Sequence, residues 1–335
     1  MTGRVADVAA EALTSPERFQ TEVVGTCRPV VLRGAVRDWP VISAARRGEL
    51  PHYLARLDAG HSAEVFVGAP AIAGRYTYSE DLSGFNFERR TMQFVEALNR
   101  IVATAGVQDS PTMYVGSLPT EGYLPDFAAE NGLSFLPTVQ PRIWLGHRSS
   151  VACHYDTSDN IACVAAGTRR FTLYPPDAIG SLYVGPIDHT MAGQPVALAV
   201  GSTPGDPRYP RFEAIRDTAL IVDLEPGDAL YLPKLWWHQV EATADLNVLV
   251  NYWWDGTSSG PDQPYTAMML AMIAIAERPA VERAAWHALF SHYVFRPDGH
   301  PLAHLPDERH GILGALGAGN YGRIRATIMR LLRAI

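Results

Sequence analysis

The sequence predicts a mainly β fold: a double-stranded β-helix or jelly-roll core, flanked by N-terminal α/β elements and followed by a C-terminal helical segment. Three observations lead to this fold class. Between Arg142 and Trp254, short runs rich in β-branched and aromatic residues are separated by glycine and proline. Residues 1 to about 60 combine helical and strand patterns, and helical spacing returns from Tyr265 onward. Many short strands joined by turns are typical of a sandwich or a double-sheet jelly roll.

In chain order, the N-terminal region predicts a helix, a strand over residues 29–33, and then a turn and a second helix. Residues 61–140 give mixed signals, with weak alternation at 76–78 and helical spacing over 90–105 through Phe94, Leu98 and Ile101. The segment 177–216 is rich in proline and glycine and predicts a long loop with some helix. The core strands are predicted at 143–145, 151–156, 161–166, 170–174, 220–224, 229–232 and 246–253.

These patterns divide the chain into a domain over residues 1–260 and a C-terminal helical region over residues 261–335. A chain of 335 residues is long enough to bury a large core. The C-terminal region carries apolar stretches within 267–276, 281–295 and 324–332, which exceed what a single helix stripe needs for packing.

Composition excludes several functional classes. The formal net charge of -7 and the isoelectric point near 5.9 argue against a nucleic-acid-binding surface. We expect no membrane span, because the longest strongly apolar run, 267–276, is too short, and the first residues lack a secretory pattern. Cys27, Cys153 and Cys163 form no disulfide framework, so we expect reduced cysteines in a cytoplasmic protein.

One constellation indicates metal chemistry. His154-Tyr155-Asp156 lies on a predicted strand, where residues two apart point to the same face, so His154 and Asp156 can reach one ion. Pro226-Gly227 predicts a turn, Pro233 ends the next strand, and His238 then follows where the fold can return it to His154. Two imidazoles and one carboxylate match the facial ligand set of non-haem Fe(II) oxygenases.

Simpler interpretations of these residues remain open at this point. His154 and Asp156 could form an ordinary surface pair, and His238 could be an unrelated buried histidine. His147 lies close in sequence, but nothing marks it as a ligand, and a surface or hydrogen-bonded position is the better interpretation.

Further motifs resemble a known family, the JmjC-type, cupin-like Fe(II)/2-oxoglutarate oxygenases. The resemblance is greatest to the hydroxylase branch, which contains the asparaginyl hydroxylase that inhibits hypoxia-inducible factor and many bacterial cupin-like proteins. It extends over roughly 250 residues, from the strand at 29–33 and Asp38-Trp39-Pro40 to Asn251-Tyr252-Trp253. The family pattern appears here as His154-Tyr155-Asp156, then Asn160, Gly167-Thr168-Arg169 and Leu173-Tyr174-Pro175-Pro176.

The resemblance implies roles for particular residues. It implies that His154, Asp156 and His238 bind Fe(II). It also implies that Tyr114 contacts the distal carboxylate of 2-oxoglutarate and that Asn160 and Asn251 lie near this co-substrate. The chain departs from the family at two positions: Val151 stands where the family has threonine, and Arg169 stands where it has lysine.

Strand alternation favours Arg169 over Arg170 as the carboxylate-binding residue. Phe171 and Leu173 are apolar and share the strand face of Arg169, so that face is predicted to point inward. A buried cation needs a partner, and the distal carboxylate of 2-oxoglutarate would be one. Because Lys234 is the only lysine among 28 lysine and arginine residues, arginine is a plausible replacement. The alternative is a solvated charge at Arg169.

The resemblance therefore implies a hydroxylase that uses Fe(II) and 2-oxoglutarate, since the carboxylate of Asp156 occupies the place where related halogenases leave room for a halide. The expected substrate is a protein, a peptide or a small amino-acid-like metabolite, and the resemblance also implies a homodimer formed through the C-terminal helices. Two alternatives stay open: a metal cupin with 2-oxoglutarate-independent chemistry, and a catalytically silent cupin-like binding protein. The set Tyr114, Asn160, Arg169 and Asn251 disfavours the first, and the complete triad disfavours the second.

Overall fold

The structure is a computed structural model of the chain, and it describes residues 5–8, 13, 15–187, 194–257 and 262–333. They form two compact units, Met1–Gly256 and Thr257–Ile335. Within these described ranges, no helix is long and apolar enough to cross a membrane.

Within the described residues, the first unit contains all the strands and eight of the α-helices. Its strands are β1 (Ala6–Val8), β2 (Val30–Leu32), β3 (Ser62–Gly68), β4 (Arg75–Tyr76), β5 (Glu88–Gln93), β6 (Thr112–Pro119), β7 (Pro141–Gly146), β8 (Ser149–His154), β9 (Asp159–Ala166), β10 (Arg169–Tyr174), β11 (Leu220–Leu224), β12 (Ala229–Leu232), β13 (Trp237–Ala242) and β14 (Asn247–Trp254). Its helices are α1 (Pro16–Glu22), α2 (Pro40–Arg46), α3 (Leu50–Leu57), α4 (Phe94–Thr104), α5 (Thr120–Tyr123), α6 (Phe127–Glu130), α7 (Ile179–Leu182) and α8 (Pro210–Glu213).

The strands form two sheets, which confirms the predicted mainly β class. The larger sheet has the order β1-β2-β12-β9-β14-β7-β6-β3-β5, and the smaller has the order β11-β10-β13-β8-β4. Pairing is antiparallel except for β1 with β2 and β4 with β8. The sheets are not closed into a continuous barrel within the described residues, because strands remain at the edges of both.

Strand β9 shows how the core is layered, since all eight of its residues are buried. Ile161 and Cys163 belong to the cluster that packs the outer face of the larger sheet against α1 to α4. Ala162 and Val164 belong to a second cluster with Phe171 of β10 and residues of β11 and β12. Side chains alternate along a strand, so β9 joins the helical layer on one face to the smaller sheet on the other.

Two predictions for residues 61–140 need correction. The helix predicted over 90–105 begins only at Phe94, because residues up to Gln93 form β5 and pair with β3 from Ser62↔Gln93 to Val67↔Glu88. Tertiary pairing overrides the local helical spacing there. The mixed segment also contains β3 and β6, which the sequence pattern did not identify.

The remaining connection and the second unit are largely helical. The predicted loop over 177–216 contains the short helices α7 and α8, and its residues 188–193 lie outside the described part of the chain. The second unit contains α9 (Pro264–Ile275), α10 (Ala280–Phe290) and α11 (Asn320–Arg333), in agreement with the helical spacing from Tyr265 onward. Cys27, Cys153 and Cys163 are free thiols.

His147 stabilises the connection between β7 in the larger sheet and β8 in the smaller one. Its Nδ1 accepts from the backbone N–H of Met113 at 3.0 Å, and its Nε2–H donates to the carbonyl of Ile101 at 2.8 Å. The side chain therefore ties the connection between β7 and β8 to β6 and α4. Burial lowers the pKa of His147 and keeps the ring neutral. The hydrogen-bonded interpretation of this histidine is confirmed.

We predict that His147→Ala lowers the free energy of unfolding by about 3 kcal/mol, because it leaves two buried backbone groups without partners. Denaturant unfolding measures this, with the exposed His52→Ala variant as control. Because the folded-state pKa is lowered, the stabilisation by His147 is present above the ordinary histidine pKa of about 6.5 and is lost as pH falls below it. A difference between the two variants that stays constant from pH 8 to pH 5 would contradict this assignment.

Candidate metal and co-substrate site

The two histidines of the predicted triad face each other across paired strands. His154 ends β8, and His238 is the second residue of β13; the two are direct cross-strand partners with ring centroids 4.4 Å apart. The Nε2 of His238 lies 3.8 Å from Oδ2 of Asp156. Ligand atoms of all three residues lie within 4.8 Å of one another.

Asp156 reaches this cluster by a different route from the one predicted. Strand β8 ends at His154, so Asp156 belongs to the following loop and not to the strand. The backbone N–H of Leu235 donates to the carbonyl of Asp156 at 2.8 Å. Leu235 has a positive φ of 68°, in the turn that leads into β13. The segment that delivers His238 therefore also holds Asp156.

Both imidazoles present an unprotonated nitrogen to the cluster. The Nδ1 of His154 lies 2.9 Å from the carbonyl of Ala152, and the Nδ1 of His238 lies 2.9 Å from the carbonyl of Trp236. A carbonyl only accepts, so each Nδ1 carries the proton and each Nε2 keeps its lone pair. Burial, with the nearby His154, lowers the pKa of His238 to about 4. This donor set fits a divalent metal ion at neutral pH.

A β-bulge sets the faces of these strands. His238 pairs with His154, but Val240 pairs with Val151, so one residue of β13 lies opposite two residues of β8. Val151 and His154 consequently face the same side. Side chains then form three rows across β10, β13 and β8: Leu173–His238–His154, Phe171–Val240–Val151 and Arg169–Ala242–Ser149.

Arg169 lies in the third row, four strand residues from the row of the metal ligands. It is only 3% exposed, and its Nη1 is buried without a hydrogen-bond partner. Burial lowers its pKa to about 10, which still leaves the guanidinium charged at neutral pH. Arg170 points outward and pairs with Asp223 at 2.8 Å. The predicted inward direction of Arg169 is confirmed.

Tyr114 and the two asparagines line the same interior. Tyr114 stacks on Trp144 with centroids 5.6 Å apart, and burial raises the pKa of its hydroxyl so that it stays protonated and able to donate. Asn251 donates from Nδ2 to Oδ1 of Asn160 at 2.7 Å, and Oδ1 of Asn251 is buried without a partner. The structure thus brings together all seven residues that the sequence nominated.

These residues share one cavity of about 400 Å³. Among the described residues, five buried side-chain nitrogen or oxygen atoms lack a partner. Four of them belong to residues that line this cavity: Arg169, Gln194, Asn251 and Trp253. Because buried polar groups are normally paired, this concentration indicates a cavity that is completed by a polar ligand.

Ser149 is a candidate that the sequence analysis missed. It is 7% exposed, lines the cavity, and shares the row of Arg169 through Ala242. Val151, in the middle row, carries no hydroxyl. The position of Ser149 relative to the metal ligands depends on the bulge in β8, so only the strand register could have identified this residue.

A family model described as a cupin-like domain matches residues 16–260. A lysine-specific demethylase, JMJ31 of Arabidopsis thaliana, is 36% identical over 106 residues, which are 30% of this chain and 18% of that protein. Jumonji C domain-containing protein 5 of Drosophila melanogaster is 23% identical over 247 residues, covering 72% of this chain and 58% of that protein. The bifunctional peptidase and (3S)-lysyl hydroxylase JMJD7 of Homo sapiens is 28% identical over 276 residues, covering 72% of this chain and 81% of that protein.

The chain spans less than two thirds of the length of the first two of these relatives. The family model covers the whole first unit from α1 onward and includes every residue of the candidate site. The predicted resemblance to JmjC-type, cupin-like proteins is therefore confirmed.

We predict one divalent metal ion per chain, bound in the wild type and weakened more than about 100-fold in His154→Ala and His238→Ala. Loss of one ligand should exceed the 10–100-fold effect typical of changes in groups that only orient a ligand. Metal analysis after dialysis, and titration with Co(II) followed by absorbance, measure this. His52→Ala removes an exposed histidine and serves as the control. Full metal occupancy in both ligand variants would refute the assignment.

Proposed function

Because this chain belongs to the cupin-like domain family, we propose that it is an Fe(II)- and 2-oxoglutarate-dependent oxygenase that hydroxylates an unactivated C–H bond. One observation carries the proposal beyond the family. The buried guanidinium of Arg169 has an unpartnered Nη1 and shares a cavity with the His154, Asp156 and His238 cluster. A metal site alone would not need such a cation, whereas a co-substrate with a distal carboxylate would.

In this proposal His154, Asp156 and His238 would hold Fe(II). When bound, Fe(II) supplies the redox chemistry that couples decarboxylation of 2-oxoglutarate to oxidation of the substrate. The overall reaction converts 2-oxoglutarate, O₂ and R–H to succinate, CO₂ and R–OH. One oxygen atom enters succinate and the other forms the hydroxyl; 2-oxoglutarate and the C–H bond each provide two of the four electrons that reduce O₂.

The third cross-strand row would bind the distal carboxylate. Arg169 provides a charged, forked donor, and the protonated hydroxyl of Tyr114 provides another. Ser149, in the row of Arg169, is placed to donate the hydrogen bond that Val151 cannot make. Asn160 and Asn251 line the same cavity and would contact the co-substrate there.

The two alternatives make different use of these residues. A metal cupin that does not use 2-oxoglutarate would leave Arg169 buried without a counter-charge, which is costly. A silent binding protein would have no need to orient two imidazoles by hydrogen bonds to their Nδ1 atoms. By analogy with the relatives described as a lysyl hydroxylase and a lysine-specific demethylase, the substrate is an amino-acid side chain in a protein or peptide, or a small amino-acid-like metabolite. A cytoplasmic location stays a prediction.

We predict that the wild-type chain with Fe(II) converts 2-oxoglutarate to succinate without added substrate, and that Arg169→Ala raises the KM for 2-oxoglutarate by a few hundred-fold or more. Breaking a buried ion pair costs about 3–5 kcal/mol, and each 1.4 kcal/mol is a factor of ten. Fe(II) binding should change little, because Arg169 is not a ligand. Coupled succinate assays at varied 2-oxoglutarate measure both quantities.

A matched series of variants tests which face of β10 points into the cavity. Arg169→Lys should recover part of the affinity, and Ser149→Ala should raise the KM by roughly tenfold, the value of one lost hydrogen bond to a charged group. Arg170→Ala removes a neighbouring arginine that pairs with Asp223 outside the cavity, so the KM should stay within about twofold of wild type. If Arg170→Ala raised the KM for 2-oxoglutarate and Arg169→Ala left it unchanged, the roles proposed for the two arginines would be reversed. Absence of succinate in the wild type would overturn the proposed function.

We also propose a homodimer formed through the second unit. Helix α9 contains no buried residue although it is almost entirely apolar, and Ile273, Val281 and Phe295 are 81%, 86% and 72% exposed. Apolar surface of this extent normally marks an interface, and symmetric self-association covers it with an identical surface. We predict a dimer mass in light scattering at micromolar concentration.

Substitutions locate the interface. Ile273→Glu combined with Phe295→Glu should yield monomers, whereas Ile221→Glu, which charges an exposed isoleucine of the first unit, should leave the dimer intact. A monomeric wild type would remove the homodimer proposal.

A further inference from the structure

A second arginine of the cavity, Arg142 on β7, has no acidic partner. Its Nε donates to Oγ of Ser117 at 2.6 Å and its Nη2 donates to the carbonyl of Ser117 at 2.7 Å. The guanidinium carbon lies 5.5 Å from the centroid of the Trp253 ring. No carboxylate of the described chain lies within ion-pair distance of Arg142, and the side chain lines the cavity that contains the metal cluster.

Unusual backbone geometry holds this side chain. Ser117 has a positive φ of 55°, and the pairing of β6 with β7 shifts register between Val115 and Leu118. A bulge of this kind commonly re-aims a side chain near a functional site. The adjacent Gly116 leaves room for Trp144, because a Cβ there would lie 2.4 Å from the ring. The local backbone therefore directs the Ser117 hydroxyl and carbonyl onto Arg142.

Strand register separates Arg142 from the end of the cavity that contains Tyr114. On β7, Gly146 pairs with Tyr114 of β6, whereas Arg142, four residues away, pairs with Asn251 of β14. Tyr114 and Arg169 mark the end assigned to the distal carboxylate of 2-oxoglutarate. Arg142 therefore lies away from Tyr114, beside Asn251, which donates to Asn160.

A neighbouring donor points to the same kind of ligand. The indole Nε1–H of Trp253 is buried without an acceptor, and its ring contacts Arg142. Nearby, Glu64 and Arg89 also line the cavity, but they lie 3.4 Å apart and balance each other. If the site is loaded as proposed above, the charges of Fe(II), Asp156, 2-oxoglutarate and Arg169 cancel. Arg142 then remains the uncompensated charge.

We propose that Arg142, held by Ser117 and assisted by the Nε1–H of Trp253, binds a carboxylate of the substrate, which is therefore an acidic side chain or the α-carboxylate of an amino acid. This inference rests on the proposed function for its chemistry, but binding at Arg142 does not require it. The assignment differs from the lysine named in the descriptions of two relatives, and it follows from this chain's own charges. An arginine fork suits a carboxylate because two N–H groups can reach both oxygens.

Binding is measured by isothermal titration calorimetry on the full chain. The probes are capped tripeptides with a central Asp, Glu, Asn, Gln or Lys, and the free amino acids L-aspartate and L-glutamate. We expect acidic probes to bind roughly 10–100-fold more tightly than their amides, the value of a charge-assisted hydrogen bond. Preference for the capped acidic peptides identifies a side-chain carboxylate, and preference for the free amino acids identifies an α-carboxylate.

Variants separate this site from that of 2-oxoglutarate. Arg142→Gln should abolish the preference for acidic probes, and Arg142→Lys should retain part of it. Arg169→Ala should keep that preference, which shows that the probe does not occupy the co-substrate site. Arg148→Gln removes an exposed arginine paired with Asp245 and serves as the charge control. Thermal melts confirm folding; should Arg142→Gln unfold, Ser117→Ala is expected to weaken acidic probes several-fold instead.

Two results would overturn the proposal: tighter binding of the lysine peptide than of the acidic peptides, or an acidic preference that survives Arg142→Gln. An acidic preference lost only in Arg169→Ala would likewise place the probe at the other arginine. A protein that binds acidic probes through Arg142 but produces no succinate would preserve this inference and refute the proposed function.

Discussion

The site depends on the bulged pairing of β8 with β13. A regular antiparallel pairing would place Val151 and His154 on opposite faces, because they are three residues apart. The extra residue in β8 turns His154 to the inner face, opposite His238. The same register extends across β10 and places Arg169 in a row with Ser149. One local irregularity therefore sets the metal ligands and the distance to the buried cation together.

Sequence patterns predicted those parts of the structure that local alternation determines. Most strands of the core and the inward face of Arg169 follow from local apolar patterns, whereas β13, which carries His238, was not predicted as a strand. Asp156 was correctly predicted to lie beside His154, but not because the two share a strand face. The strand ends at His154, and the backbone N–H of Leu235 holds the carbonyl of Asp156 in the following loop. The start of α4, the strands β3 and β6, and the role of Ser149 depend on pairing with distant residues, and no local pattern contains that information.

Most of the buried side-chain polar atoms that lack a partner in the described chain belong to residues that line the cavity. Elsewhere in the described chain, buried groups such as Asp159 are fully used: its carboxylate accepts from the Tyr231 hydroxyl and the Gly256 N–H and lies 3.8 Å from the Nζ of Lys234. Around the cavity, Arg169, Asn251 and Trp253 keep unpartnered atoms. Outside the cavity only Asn247, among the described residues, has such an unpartnered atom. The concentration of unsatisfied polar groups at the cavity costs stability and favours the binding of a polar ligand.

The two cavity arginines differ in burial and in the partners that the fold provides. Arg169 is 3% exposed and its Nη1 has no partner, whereas Arg142 is half-buried and already donates to Ser117. A buried charge without a partner is more costly than one that keeps polar neighbours and water. Arg169 therefore gains more from a bound carboxylate than Arg142 does, which supports the assignment of the co-substrate to Arg169 and of the substrate to Arg142.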